Sequence, residues 1–187
     1  RFLVSERPGR LRVVSADGQV GPPVAGVPNV VARGQGGLLD VVLDAGFERN
    51  RTLYFCFAEP GPDGTNGTAL ARARLGDDDS RLEQVRVIFR QQPKVASQLH
   101  FGCRIVQGRD GLLFLAMGER YSRMDDAQRL DNHLGKVVRL TKEGAPAPGN
   151  PFVGRTGALP EIWSYGHRNP QGATLAPDGR LWIHEHG

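Results

Sequence analysis

Long apolar runs are missing from this chain of 187 residues. No segment approaches the roughly 18 consecutive apolar residues that a helical membrane span needs. Lysine is scarce as well: Lys94, Lys136 and Lys142 are the only three, and the arginines that make up the rest of the basic side are interspersed with acids. The formal net charge of +4 is mild, no basic block forms, and nucleic-acid binding is not expected. Cysteine is limited to Cys56 and Cys103, with no C-x-x-C spacing. A disulfide is one reading of the two, and a pair of unlinked buried thiols is the favoured one. Absent too are a G-x-S-x-G nucleophile elbow, a Walker sequence and a dinucleotide fingerprint. The glycines around Gln35 lack the third member at the required offset and read as a tight turn entering "LLDVVLD".

Glycine is plentiful, at 25 residues, with 13 prolines, and both are scattered along the whole length. That distribution suits many short strands joined by turns better than long helices. Hydrophobic residues make up 39% and charged residues 24%, the balance of one globular domain, and the length favours one domain over two. Helical signal is weak, and "RYSRMDDAQRLDNHLGK" reads as a loop with a short helix at most. The sequons at Asn50 and Asn66 read as chance occurrences.

Internal repetition organises the strands. "GRLRVVSADG" (9–18) and "GKVVRLTKEG" (135–144) match in residue type, each ending in an acid-Gly pair that signals a hairpin. "DGLLFLAMGE" (110–119) recurs as "DGRLWIHEHG" (178–187), with "NRTLYFCFAE" (50–59) as a looser copy. The anchoring Leu53, Leu113 and Leu181 fall 60 and 68 residues apart, a period that fits a four-stranded blade with an insertion. The expected fold is an all-β propeller of four-stranded antiparallel blades, with about three blades in view. Closing such a ring takes at least four blades. The sequence is therefore expected to be part of a longer protein, consistent with its start at Arg1, which a processed export signal also explains.

Polar residues beside glycines at strand ends are the candidates for chemistry: Gln35 in "GQGG", His100 in "QLHFGCR", Glu119 in "MGER", Arg168 and Asn169 in "GHRNPQG". On a propeller such ends share one face. An imidazole, a carboxylate and a guanidinium together can move a proton and stabilise developing negative charge. Each also has a plain structural reading: Glu119 and Arg120 as a solvated pair, Asn169-Pro170 as a turn starter. His184 and His186 alternate on one strand face, but without a third ligand a metal there is not expected.

The stretches "GQGGLLDVVLD", "HFGCRI" with "DGLLFLAMGER", "LDNHLGKVVRL", "NPF" and "PEIWSYGHRNPQG" together resemble the soluble PQQ-dependent aldose sugar dehydrogenases of the glucose/sorbosone dehydrogenase-like group, over the whole chain and in the same order. The resemblance implies a six-bladed propeller, located in the periplasm or secreted. It implies PQQ and calcium as cofactors, and an aldose oxidised at C1 to the lactone, with hydride passing to the quinone. It matches His100 to the base, Glu119 to its carboxylate partner (often Asp in relatives) and Arg168 to the cation over the quinone oxygens. Gln35 and Asn169 match polar residues around cofactor and substrate, Gly187 the start of a calcium-binding backbone segment, and His167 is expected to be structural. Relatives often carry Gly where this chain has Cys103. Most calcium ligands would lie beyond Gly187, so the chain alone is expected to be inactive. Two other classes compete: a propeller kept as a binding module, as hedgehog-interacting proteins resemble this group, and a calcium-dependent propeller lactonase, which would want a carboxylate and Asn cage.

Overall fold

Four acid-Gly pairs close turns of one geometry. In each, a residue's N–H reaches the carbonyl four positions on, and the glycine N–H returns to that first residue's carbonyl: Ser15 with Gln19 and Gly18, Gly108 with Leu112 and Gly111, Thr141 with Ala145 and Gly144, Ala176 with Arg180 and Gly179. The four glycines have φ between 80° and 92°, a region that costs a side-chain-bearing residue strain and glycine none.

The computed structural model describes all residues, 1–187. The chain is all-β. Strands β1 (Phe2–Glu6), β2 (Arg10–Val14) and β3 (Val20–Pro23) make a three-stranded sheet. β4 (Leu38–Leu43), β5 (Thr52–Pro60), β6 (Asn66–Leu75) and β7 (Leu82–Arg90) make a four-stranded one, with one helical turn, α1 (Phe47–Asn50), between its first two strands. β8 (Gly102–Gln107), β9 (Leu113–Met117), β10 (Lys136–Leu140) and β11 (Ile162–Tyr165) make a second four-stranded sheet, and β12 (Asn169–Leu175) pairs with β13 (Leu181–His186). Within each sheet the strands are antiparallel and follow chain order. The loop before β10 holds a single 3₁₀ segment, Met124–Gln128.

The sheets stack face to face in the order of the chain. β5 is buried on both faces: Leu53, Phe55 and Phe57 join Leu11 and Val24 in one core, while Tyr54 and Cys56 join Ile105, Leu113, Leu115 and Met117 in the next. β9 repeats the pattern, with Phe114 and Ala116 turned toward Leu181 and Ile183. Period-two alternation therefore serves two cores at once, which is why these strands read as continuous apolar runs. Leu53, Leu113 and Leu181 each pair with the last residue of the preceding strand (Leu43, Gln107, Leu175), so the sequence repeat is a repeat of register.

One expectation is overturned. Cys56 and Cys103 are joined as a disulfide, with Cα atoms 5.9 Å apart, rather than standing as free thiols. Cys103 is the extra residue of a bulge in β8, where the register shifts between Gly102 and Arg104, and its φ of 78° departs from strand geometry. Both cysteines lie in the core between the two four-stranded sheets. The bond thus ties adjacent sheets together, a tertiary relationship that spacing does not show.

Candidate active site

The bulge at Cys103 has two counterparts. The registers of β4 with β5 and of β12 with β13 shift at the same place, leaving Leu39 and Gln171 as the extra residues. All three bulge residues line a single cavity of about 240 Å³, together with Gln35, Asn169, Arg104 and His186. A bulge re-aims a side chain out of the alternating pattern. Three equivalent bulges on three sheets therefore converge on one space, and of the polar residues just before them Gln35 and Asn169 line it too.

His100 stands two residues ahead of β8 in a left-handed conformation, φ 48°. Its N–H donates to Gln35 Oε1 at 2.8 Å, and its ring meets Tyr121 edge-on with centroids 5.2 Å apart. Nδ1 lies 2.6 Å from Oε1 of Glu119, and both residues are buried. An ionised carboxylate only accepts, so the neutral imidazole beside it carries its proton on Nδ1 and its lone pair on Nε2. Nε2 has no bond within the chain. Glu119 is placed by its backbone, since its N–H donates to the carbonyl of Arg168 at 2.9 Å. Gly118 makes this approach possible, because a Cβ there would fall 2.2 Å from the His100 carbonyl oxygen.

Arg120 is not half of a solvated pair with Glu119, for both are buried. Its guanidinium donates to the carbonyls of Leu99, Ser97 and Asn66 and to the Asn66 side chain, and stacks 3.8 Å over the Phe101 ring. Burial pulls its pKa down to about 10, and the charge of Glu119 opposes that shift. Leu99 and Phe101 flank His100, so Arg120 grips the chain on both sides of the imidazole. Asn66 is buried in this network, in keeping with a chance sequon.

The corner 164–171 forms the facing side. Asn169 is buried, and its Oδ1 accepts from Gln171 Nε2 at 2.9 Å. Both ring nitrogens of His167 have partners within the chain: Nε2 lies 2.9 Å from Ser164 Oγ and Nδ1 lies 3.2 Å from Glu185 Oε1. The Arg168 guanidinium makes no hydrogen bond or ion pair and is exposed. Gln35, His100, Glu119, Arg168 and Asn169 are thus brought together through direct bonds or one shared cavity. Sequence reasoning missed Arg104, whose Nε donates to the Gln171 carbonyl at 2.6 Å, and Gln171 itself. Aligning the three units on their first strands would have pointed to both Cys103 and Gln171. It also missed Glu185, and it weighed His186 only as a metal ligand.

His184 and His186 part company: His184 packs on Gly172, and His186 lines the cavity. No group of three or more His, Cys, Asp or Glu side chains is gathered anywhere. Gly187 follows His186 and is exposed, with no polar cage around it. Its one carbonyl falls short of the roughly six to eight oxygens that calcium takes. No helix is long and apolar enough to cross a membrane.

Comparison with known proteins gives one answer. The family model for glucose/sorbosone dehydrogenase matches residues 1–187. The aldose sugar dehydrogenase YliI of Escherichia coli (strain K12) is 47% identical over 187 residues, covering 100% of this chain and 50% of that protein. A solved glucose dehydrogenase superposes with a TM-score of 0.95 at 54% identity, over 99% of this chain and 58% of the other. The PQQ-bound form of aldose sugar dehydrogenase from Streptomyces coelicolor superposes with a TM-score of 0.84 at 31% identity, over 99% and 53%. The chain spans about half the length of the relatives it matches. It belongs to the glucose/sorbosone dehydrogenase family.

Proposed function

We propose that this chain is half of a PQQ- and calcium-dependent aldose dehydrogenase, built as a six-bladed propeller, that oxidises an aldose at C1 to its lactone. The observation that carries the reading is the buried His100–Glu119 pair, whose Nε2 has no bond within the chain and whose His100 N–H is held by Gln35 of the cavity lining. Burying a carboxylate and an imidazole costs stability, a cost that a binding module has no use for.

The residues at the cavity fit an anionic, planar quinone. Gln35, Asn169 and Gln171 bring amide groups, Arg104 brings a cation, and Phe101 adds an aromatic ring, with Arg168 next to Asn169 in the chain. PQQ, when bound, supplies the two-electron acceptor that the side chains lack. His100 Nε2 takes the proton of the C1 hydroxyl. Glu119 keeps Nδ1 protonated and stabilises the imidazolium that results. Arg168, which stays cationic, offers N–H groups to oxygens that gain negative charge. Calcium would be held by the Gly187 carbonyl together with groups outside this chain, and no step here depends on it.

The disulfide between Cys56 and Cys103 supports a periplasmic or secreted location, because such bonds persist in oxidising compartments. The test is reconstitution of the full-length protein with PQQ and calcium, followed by dye reduction with a panel of aldoses. A quinone spectrum and sugar-dependent reduction are expected; absence of both would overturn the reading.

A further inference from the structure

The Arg168 N–H finds no carbonyl partner; a side chain takes it. Oε2 of Glu185 accepts from the Arg168 N–H at 2.6 Å and from the Asn169 N–H at 3.2 Å, while Oε1 faces Nδ1 of His167 at 3.2 Å. Glu185 reaches them because it lies opposite Pro170 in the β12–β13 register, one step before the bulge that turns Gln171 into the cavity wall. The residue after it, His186, lines the same cavity. One carboxylate therefore holds the backbone of two residues that approach the cavity, and Asn169 passes the hold to Gln171 through its Oδ1.

What this carboxylate does not do is equally informative. Arginine and carboxylate side chains placed side by side ordinarily close into a forked ion pair. Here Glu185 bonds the main chain of Arg168, and the Arg168 guanidinium stays unpaired. Two N–H groups and an imidazole occupy three of the carboxylate's roughly four lone-pair sites, which leaves no pair of sites for a forked guanidinium.

We propose that Glu185 is a positioning residue. Its carboxylate fixes the backbone of Arg168 and Asn169 and, being engaged there, leaves the Arg168 guanidinium free for an anionic ligand. The inference rests on the dehydrogenase reading for the identity of that ligand. Replacing Glu185 with Ala removes the acceptor outright and leaves the Arg168 and Asn169 N–H groups without a partner.

The test uses the full-length protein with PQQ titrated by its absorbance, without sugar. Glu185→Ala is expected to weaken PQQ binding on the order of 10-fold or more, the scale of residues that orient a ligand-contacting group. In an Arg168→Ala background the same change should cost several-fold less, the remainder being the part that acts through Asn169. An equal loss in both backgrounds means a general structural role and overturns the proposal. A second arm needs no cofactor: exchange of the Arg168 and Asn169 amide protons should be slow in the wild type and fast in Glu185→Ala. Equal exchange in the two overturns the proposal even if the variant is too unstable to titrate. A wild type that takes up no PQQ overturns the dehydrogenase reading instead, and the exchange arm still decides whether Glu185 holds the corner.

Discussion

Nδ1 of His100 and Oε1 of Glu119 lie 2.6 Å apart in a setting where both side chains are almost wholly out of water. The contact selects the tautomer, and the tautomer decides whether Nε2 can act as a base. Glu119→Gln keeps the volume but presents an amide that can donate to Nδ1, which would move the proton to Nε2 and remove the lone pair. In the full-length enzyme kcat is expected to fall on the order of 10²- to 10⁴-fold, the usual worth of a positioned acid–base group. The nitrogen-15 shifts of His100 should show the change of tautomer, and PQQ should remain bound. His100→Ala should abolish turnover with PQQ likewise retained; persisting turnover would remove His100 from the role of base.

The link between Cys56 and Cys103 closes a separation of 47 residues and joins neighbouring sheets. A loop of that size corresponds to roughly 4 kcal/mol of unfolded-state entropy in the chain model. Cys103→Ser in the full-length protein is therefore expected to lower the unfolding midpoint by several degrees. It should also weaken PQQ binding, because Cys103 lines the cavity. Alkylation of the native protein under denaturing, non-reducing conditions should label neither cysteine. Labelling of both would show the bond to be absent.

Much of this arrangement was legible in the residues, and what was not has a physical reason. The acid-Gly pairs at Asp17, Asp110, Glu143 and Asp178 announce a local geometry that four residues specify by themselves. Leu53, Leu113 and Leu181 mark equivalent registers because alternation and turn length set pairing within a hairpin. The bulges at Leu39, Cys103 and Gln171 carry no common residue type, so the disulfide was not the favoured reading, and of the cavity lining only Gln35 and Asn169 were foreseen as cofactor contacts. Glu185 was invisible for a related cause: its bonds are to backbone N–H groups, which every residue offers alike. The burial of Arg120 depends on a carbonyl cluster assembled from residues 66, 97 and 99, a gathering only the tertiary fold creates.

Asp44 offers a test of how the first two four-stranded sheets are joined. Buried at the end of β4, it accepts from Lys142 at 2.5 Å, from the Tyr54 hydroxyl at 3.2 Å, from Asn50 at 2.9 Å and from the Gly46 N–H at 2.8 Å. Burial by itself would raise its pKa. The bonds from Lys142, Asn50 and Gly46 more than offset this and hold the carboxyl well below the usual carboxylate range, while burial and the same charge push Tyr54 up. A carboxyl whose folded pKa is depressed binds fewer protons than its unfolded counterpart, near about 3.9, so its contribution is complete above that value and is lost as the pH falls further. Asp44→Asn is expected to cost about 2–3 kcal/mol at neutral pH, the scale of hydrogen bonds to a charged group. In urea unfolding of the full-length protein, the gap between wild type and variant should stay constant from neutral pH down to about 4–5 and narrow below it. A gap that widens on acidification would mean that Asp44 is not the anion tying β4 to Lys142.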